Sequence, residues 1–402
     1  MCKAYGTEND KQDPARNPLA NLGWNDFFAA SLAALGGKLA AARILEARRG
    51  SFVIASLDAE GSIREELAKG SGTLSAACVS NADWPVTGDW VAIRDRSSTI
   101  RSDADSPAAD SPAADSQGPA IVEAVLPRRS AFSRKAPGDP NHDRMDEQVL
   151  AANIDTSLIV TASGTDFSLR RMERYIALAI DAGTTPVIVI TKADLAGNTI
   201  GHLVDQASGL CPASRVFGVC ALENKGLDAL ELLLQPGTTA VLLGSSGSGK
   251  STLLNALAGR EVSRTGSVKS FDQRGRHTTT ARTLFGLPSG AMIIDTPGLR
   301  EVQLWLDGSS LDSAFPEIES AAAACRFRDC THTSEPGCAV KDALAEGTIT
   351  VDRYESWLGL GRESRFIEAR SGGPAGLTEK SRWKTISKLA KAHKKLSMDA
   401  RD

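Results

Sequence analysis

Gly244-Ser245-Ser246-Gly247-Ser248-Gly249-Lys250-Ser251 concentrates glycines, hydroxyls and one lysine in a single short string. It fits G-x-x-x-x-G-K-S, a loop whose backbone N–H groups wrap phosphates. Apolar Ala240-Val241-Leu242-Leu243 precedes it, and the helical pattern Thr252-Leu253-Leu254-Asn255-Ala256-Leu257 follows. That strand–loop–helix setting is what the chemistry requires. Glycine permits the tight wrap, and the helix N-terminus adds a favourable dipole for anions. Residues 244–252, Gly244 through Thr252 with Ser246 among them, are therefore the expected phosphate cradle. Lys250 would reach the outer phosphates and serve catalysis, and the Ser251 hydroxyl would ligate Mg2+.

A second string lies upstream. Val187-Ile188-Val189-Ile190 reads as a buried strand and runs into Thr191-Lys192-Ala193-Asp194. This fits the guanine-reading pattern N-K-x-D except at Thr191. An aspartate at Asp194 accepts two hydrogen bonds from the guanine edge, a donor pair that adenine lacks. A site built on such bonds rejects the wrong base strongly, because its polar groups are left unpaired. Downstream of the loop, the strand Ala291-Met292-Ile293-Ile294 leads into Asp295-Thr296-Pro297-Gly298. There the aspartate would help hold Mg2+ and the Gly298 N–H would meet the γ-phosphate. Between the two lies Arg274-Gly275-Arg276-His277-Thr278-Thr279-Thr280, a first switch in which Thr278 is the expected Mg2+ ligand. The motifs thus run base clamp, phosphate loop, first switch, second switch, the order of a circularly permuted GTPase.

A third constellation is metal-binding in type. Cys325-Arg326-Phe327-Arg328-Asp329-Cys330-Thr331-His332 and Cys338 gather three thiols and an imidazole in one loop. Three Cys and one His match a closed structural zinc site, with no vacant position for catalysis. One Zn2+ per chain is expected, and its binding would supply much of the folding energy of a loop with little core.

These motifs need scaffolds. From about Gly37 to Pro127 the chain reads as short strands, 42–47, 52–56, 63–67, 90–94 and 121–126, with turn signals at Gly50, Gly61 and Gly88-Asp89. An OB-fold barrel over 37–127 is the leading expectation. It is interrupted by the repeat Asp105-Ser-Pro-Ala-Ala-Asp110-Ser-Pro-Ala-Ala-Asp115, which has too little apolar surface to order itself and reads as a disordered insertion over about 102–118. From Leu158 strands and helices alternate, which implies a parallel sheet with helices on both faces. Asp166, after the first strand, reads as a cap for the helix over 169–182. The expected divisions are a mobile extension over 1–36, the barrel over 37–127, a linker over 128–148, the α/β GTPase unit over 149–305, the zinc-binding domain over 306–371 and a basic tail over 372–402. In the tail, Lys380, Arg382, Lys384, Lys388, Lys391, Lys394 and Lys395 alternate with Trp383, Ile386 and Leu389 at helical spacing, a pattern suited to phosphate backbones. Arg128-Arg129 and Arg134-Lys135 add a second basic patch.

The net charge of −3 gives no bulk nucleic-acid signal, so any such signal must be local. No apolar run suits a bilayer and the start of the chain lacks a signal-peptide core, so a cytoplasmic protein is expected. The remaining cysteines, Cys2, Cys78, Cys211 and Cys220, are scattered and read as reduced. His142, His202 and His393 read as surface residues.

The permuted motif order, the barrel and the C-x4-C-x-H-x5-C cluster together resemble the ribosome small subunit-dependent GTPase A family. Leu126-Pro-Arg-Arg-Ser-Ala-Phe-Ser-Arg134 and Glu147-Gln-Val-Leu-Ala-Ala-Asn153 look like signatures of it. The resemblance covers Gly37 to the tail. It implies GTP and GDP as ligands, hydrolysis stimulated by the small ribosomal subunit, and ribosomal RNA and proteins as partners in late subunit assembly. A monomer and no membrane association are expected. Leu299 stands where Ras-like enzymes place a water-orienting glutamine, and the resemblance gives that task to His277. The competing reading is an RNA-binding scaffold whose nucleotide is structural. A small-molecule ATPase or kinase conflicts with Asp194.

Overall fold

The computed structural model describes residues 17–94, 118–135, 147–212, 214–262, 282–295 and 309–370. Helix α1 (Asp26–Leu35) follows a 3-10 turn at Pro18–Leu22 and is capped by the Asn25 side chain, which accepts from the Phe27 N–H. The expected mobile extension is therefore corrected from residue 17 onward. Leu19, Leu22 and Phe28 are buried. Trp24 and Phe28 pack on Trp90 at ring separations of 4.7 and 5.8 Å. Large aromatic burial offsets the ordering entropy that the segment's polar look suggested it could not.

Five strands follow in the expected places: β1 (Leu39–Arg48), β2 (Ser51–Leu57), β3 (Ile63–Gly70), β4 (Trp90–Arg94) and β5 (Ala120–Val125). They pair in the order β1-β2-β3-β5-β4, and β4 returns to β1, closing a barrel of OB type. Helix α2 (Gly72–Ala77), capped by Ser71, sits between β3 and β4 and was not expected; its one buried side chain is Leu74. Arg128 is not part of a basic patch. Its guanidinium grips buried Asp89 with both arms, at 2.8 and 2.7 Å, and donates to the Ala82 and Trp84 carbonyls.

The expected linker over 128–148 is also corrected. Strands β6 (Ala131–Lys135) and β7 (Glu147–Ala152) pair antiparallel as a separate two-stranded sheet, with Phe132 and Leu150 buried. The signal was the alternation in Ala131-Phe-Ser-Arg134.

The α/β unit comprises β8 (Thr156–Ala162), α3 (Leu169–Asp181), β9 (Thr185–Thr191), α4 (Ala193–Ala196), α5 (Ile200–Ser208), β10 (Arg215–Gly218), α6 (Leu227–Glu231), β11 (Thr239–Leu243), α7 (Lys250–Ala258), β12 (Thr283–Gly286) and β13 (Met292–Asp295). The strands run β10-β9-β8-β11-β13-β12, parallel except for β12. β8, β9 and β11 are almost wholly buried runs, as two-sided parallel strands must be. Leu253, Leu254, Leu257, Leu227 and Leu230 cover one face. Met172, Ile176 and Ala207 cover the other, continuous with Phe315, Ile318 and Leu360. Those last residues belong to α8 (Ser309–Ala314), α9 (Pro316–Ala322), α10 (Ala339–Ala345) and α11 (Val351–Arg370) and their connections. Among the described residues no helix is long and apolar enough to cross a membrane.

Two arginines fasten the units. Arg43 of β1 is buried and donates to the Leu22 carbonyl, to the Asn153 carbonyl at 3.1 Å and to Thr239 Oγ1 at 2.9 Å, joining the N-terminal turn, the barrel and β11. Arg353 of α11 donates to Glu173 at 2.9 Å, to Glu317 and to the Leu210 and Ala314 carbonyls, and lies 4.2 Å over the Phe315 ring. Truncating a buried cation strands every acceptor it served. Arg43→Ala should lower unfolding free energy by about 3 kcal/mol or more, read from denaturant melts. A wild-type midpoint would show that this cation does not hold the barrel to the sheet.

Candidate functional site

β11 ends at Leu243 and the phosphate loop follows, opening α7 at Lys250. Gly244 has φ 146°, and a Cβ there would lie 2.2 Å from the Val160 carbonyl, so only glycine fits between β11 and β8. Gly249 has φ 91°, and a Cβ there would meet Thr191 Oγ1 at 2.9 Å. No side chain caps the N-terminus of α7, whose dipole favours an anion there. The Lys250 ammonium arches over the loop, donating to the Gly244 carbonyl at 2.8 Å, to the Ser245 carbonyl and to Ser248 Oγ at 3.2 Å. Ser248 is fully buried.

The upstream string meets this loop directly. Thr191, at the end of β9, donates its hydroxyl to the Ser248 carbonyl at 2.6 Å, with the Thr161 carbonyl 3.3 Å away. Lys192 takes a left-handed φ of 55° and donates Nζ to the Gly247 carbonyl at 3.1 Å. Asp194 is exposed in the first turn of α4. Asp295 ends β13, which lies beside β11 in the same direction, so its carboxylate stands at the phosphate end of the sheet. The structure therefore brings Thr191, Lys192, Asp194, residues 244–252 and Asp295 to one edge. His277, Thr278 and Gly298 lie outside the described residues, as do the repeat over 105–116 and the basic tail from Lys380.

Two residues escaped sequence reasoning. Asp166 does not cap α3; Ser168 does, accepting from the Arg171 N–H. Asp166 instead accepts from Ser245 Oγ at 2.5 Å, from the Ala162 N–H at 3.1 Å and from Arg171. Burial opposes its ionisation, but these three donors outweigh that and hold its pKa below the ordinary carboxylate value. It ties the loop to the end of β8, and the signal was its place just past that strand, level with the loop. The other is Cys220, in the turn after β10. Its thiol hydrogen-bonds Asp194, which together with burial raises its pKa. The Ala193 N–H donates to the Val219 carbonyl at 3.1 Å, so this turn backs the segment that carries Asp194.

The second centre lies between α9 and α10. One ligand atom each from Cys325, Cys330, His332 and Cys338 all fall within 4.8 Å of one another. His332 Nδ1 is 3.4 Å from Cys325 Sγ and 3.5 Å from Cys338 Sγ, and the two sulfurs are 3.9 Å apart. A zinc tetrahedron with sulfur bonds near 2.3 Å has edges of about 3.5–3.8 Å, which the three separations among Cys325, His332 and Cys338 match closely, so the donor set suits that ion. Burial raises Cys330 to about 11, and it depresses His332, which favours the neutral imidazole a metal needs. At Cys325 burial opposes the thiolate, yet the Val340 and Ala339 N–H groups and neighbouring thiols hold its pKa below the ordinary value. Glu335 braces the loop, accepting from the Thr331 N–H at 3.0 Å and the Thr333 and Ser334 N–H groups at 3.1 Å. The Thr331 bonds, foremost, pull its pKa down to about 2. Tyr354 of α11 donates to the His332 carbonyl at 2.7 Å, and Trp357 packs edge-on to the His332 ring at 5.6 Å.

Comparison with known proteins bears on the whole chain. A family model described as RsgA GTPase matches residues 125–305. A protein of Opitutus terrae named small ribosomal subunit biogenesis GTPase RsgA is 40% identical over 383 residues, 94% of this chain and 98% of its own length. One of the same name from Methanosarcina acetivorans is 37% identical over 93% of both chains. Among solved structures, YjeQ from Thermotoga maritima aligns with a TM-score of 0.58 at 22% identity, covering 81% of this chain and 98% of that one. YloQ, described as a circularly permuted GTPase, aligns at 0.54 and 21%, covering 82% and 96%. At that identity the two structures establish the permuted fold.

Elemental analysis of the purified protein should give one zinc per chain, and Cys325→Ser should lose it. Because α11 touches the metal loop through Tyr354 and Trp357, metal removal should also expose Trp357 to solvent, seen as a fluorescence change. A zinc-free wild type with unaltered fluorescence would refute the coupling. Thr191→Val, which keeps the shape and deletes the donor, should weaken GDP binding about five- to ten-fold, the worth of one buried hydrogen bond.

Proposed function

The chain belongs to the RsgA GTPase family, and from that premise we propose that it hydrolyses GTP while bound to the small ribosomal subunit, in that subunit's late maturation. The observation that carries this reading is the 2.6 Å bond from Thr191 to the Ser248 carbonyl, which fastens a base clamp encoded upstream to a phosphate loop encoded downstream. We assign the nucleotide unit to 149–305, the barrel to 37–127, the metal module to 306–371 and the basic tail to 372–402, and place the protein in the cytoplasm as a monomer.

In this reading the guanine edge is read by Asp194, with Cys220 and the Val219 carbonyl holding that segment in place. Lys192 lies along the loop beneath the base. The loop amides, the N-terminus of α7 and Lys250 hold the phosphates. Ser251, Thr278 and Asp295 would hold Mg2+, whose charge neutralises the β- and γ-phosphates when bound. Gly298 meets the γ-phosphate through its N–H, and His277 orients the attacking water. Catalysis is then almost wholly positional and electrostatic. Lys250 already lies against the loop carbonyls, so it can exchange them for phosphate oxygens without moving far. The zinc module and the basic tail bind the subunit's RNA and proteins, and the zinc is structural.

Turnover should be slow alone and rise roughly ten-fold or more with purified small subunits, since no arginine among the described residues hydrogen-bonds the phosphate loop. His277→Ala should abolish the stimulated rate while leaving GDP affinity intact. Stimulation that survives in that variant removes the histidine from the reaction. Turnover indifferent to subunits would favour a scaffold with a structural nucleotide. Asp194→Asn should lose GTP affinity by a hundred-fold or more and gain xanthosine triphosphate, whose extra carbonyl suits an amide donor. Retained GTP binding would place the base elsewhere.

A further inference from the structure

The metal loop carries three side chains that the zinc site does not use. Arg326-Phe327-Arg328 lies between the ligands Cys325 and Cys330, and all three are exposed. A single exposed ring is ordinary on a protein surface, but this one is fixed and flanked. The Arg326 N–H donates to the Gly337 carbonyl at 3.1 Å, and the Cys330 N–H donates to the Phe327 carbonyl at 3.3 Å. The backbone on both sides of the ring is thus pinned inside a span whose two ends are metal ligands. Gly337 has φ 73°, and a Cβ there would lie 3.2 Å from Arg326 Cβ and 3.4 Å from its Cδ. Glycine at that position lets the Arg326 stem lie close against the far side of the loop. Its guanidinium then comes over the Phe327 ring, 5.4 Å from the centroid. The ring carries this cation and is still 42% exposed.

The charges beside the ring are open. Neither Arg326 nor Arg328 has an ion pair among the described residues, and α9 and α10, which lead into and out of the loop, are described throughout. Of the loop's own acids, Glu335 is spent on the Thr331, Thr333 and Ser334 amides. Asp329 is exposed next to Arg328 in the chain. No other large apolar side chain is exposed between Cys325 and Cys338.

A rigid aromatic ring set between two arginines suits RNA better than protein. A protein hot spot sits at the centre of a well-packed apolar patch, and this ring has no such surround in its loop. An unpaired base offers a π-face to any aromatic side chain, and the phosphates that flank it suit arginine. We propose that Phe327 stacks on one unpaired base of the small subunit's RNA, with Arg326 and Arg328 taking the phosphates on either side of that base. The inference rests on the small-subunit reading above and names one contact within it. The structural ion thereby serves recognition as well as folding, because its ligands Cys325 and Cys330 bracket the stacking ring.

The test is binding of the full-length protein, with a non-hydrolysable GTP analogue, to purified small subunits across a salt series, with zinc content measured for every variant. Phe327→Ala should weaken binding about ten-fold, the worth of one base–aromatic stack, and leave the salt slope unchanged. Phe327→Leu keeps apolar bulk without a π-face and should lose as much. Phe327→Trp should bind at least as well as the wild type. Arg328→Gln should weaken binding about five-fold and flatten the salt dependence by about one. Zinc content, GDP affinity and unstimulated turnover should stay unchanged in all four. Wild-type affinity in Phe327→Ala would overturn the stacking role. So would wild-type affinity in Phe327→Leu beside a weakened Phe327→Ala, which would seat the ring in an apolar pocket of a ribosomal protein. Should Phe327→Ala lose its zinc, the comparison of Phe327→Leu with Phe327→Trp decides, and equal affinities there overturn the stack. Wild-type protein that fails to bind subunits sinks the subunit reading, whereas subunit binding that the Phe327 variants leave intact sinks the stacking contact alone.

Discussion

Everything at the nucleotide edge depends on a hydroxyl proton. The base clamp follows β9 and the phosphate loop follows β11, so their register depends on noncovalent contacts. The Thr191 hydroxyl supplies that register by donating to the Ser248 carbonyl, and Gly249 leaves only enough room for it, since a Cβ there would come within 2.9 Å of the same oxygen. Lys192 adds a second tie to Gly247, and Asp166 a third to Ser245. Three ties from two strand ends thus grip a loop that glycine alone would leave free to move.

The same logic extends outward. Asp166 accepts from Arg171, which lies in the first turn of α3. Glu173, one residue pair further along α3, accepts from Arg353 of α11, and Tyr354 beside it donates to the carbonyl of His332 in the metal loop. Phosphate loop and metal centre therefore share one packed helix pair. This is a rigid frame: buried charge-assisted bonds are expensive to break once made, because any partner left behind stays buried and unpaired. The module at the C-terminal side is fixed to the nucleotide sheet by Arg353 and Arg174, the latter pairing with Glu363 at 2.7 Å. Movement on hydrolysis would have to be of the whole pair rather than a sliding of one helix over another.

Much of this was legible in the residues alone. Strands β8, β9 and β11 declared themselves as continuous apolar runs, and the barrel strands as short segments between glycine turns. The phosphate loop and the metal cluster were legible because their chemistry demands fixed spacings. What stayed hidden depends on contacts distant in sequence. Leu19, Leu22 and Phe28 sit in an undistinguished stretch of sequence, and their burial, Phe28 against Trp90, appears only in the fold. Arg128 looks basic and solvated until Asp89 is found beneath it. Asp166 and Cys220 carry no motif of their own, and their roles follow only from which strand ends lie side by side.

Thr191 itself illustrates how a departure from a pattern can be read physically. An asparagine there has an amide that can both brace the loop and reach toward the base. Threonine has a single donor, and it is spent on the Ser248 carbonyl at 2.6 Å, with the Thr161 carbonyl as its other neighbour. Its β-branch suits the last position of a buried strand, where χ1 is restricted and the hydroxyl is pre-aimed. The brace is thereby retained with less rotamer entropy to lose, and any direct contact with the base is given up. On the proposed reading, discrimination for guanine then falls on Asp194 alone. That carboxylate is exposed, and its described side-chain tie is the Cys220 thiol. A weak thiol donor holds the carboxylate in place without competing strongly for its oxygens, so both remain open to a pair of purine N–H groups.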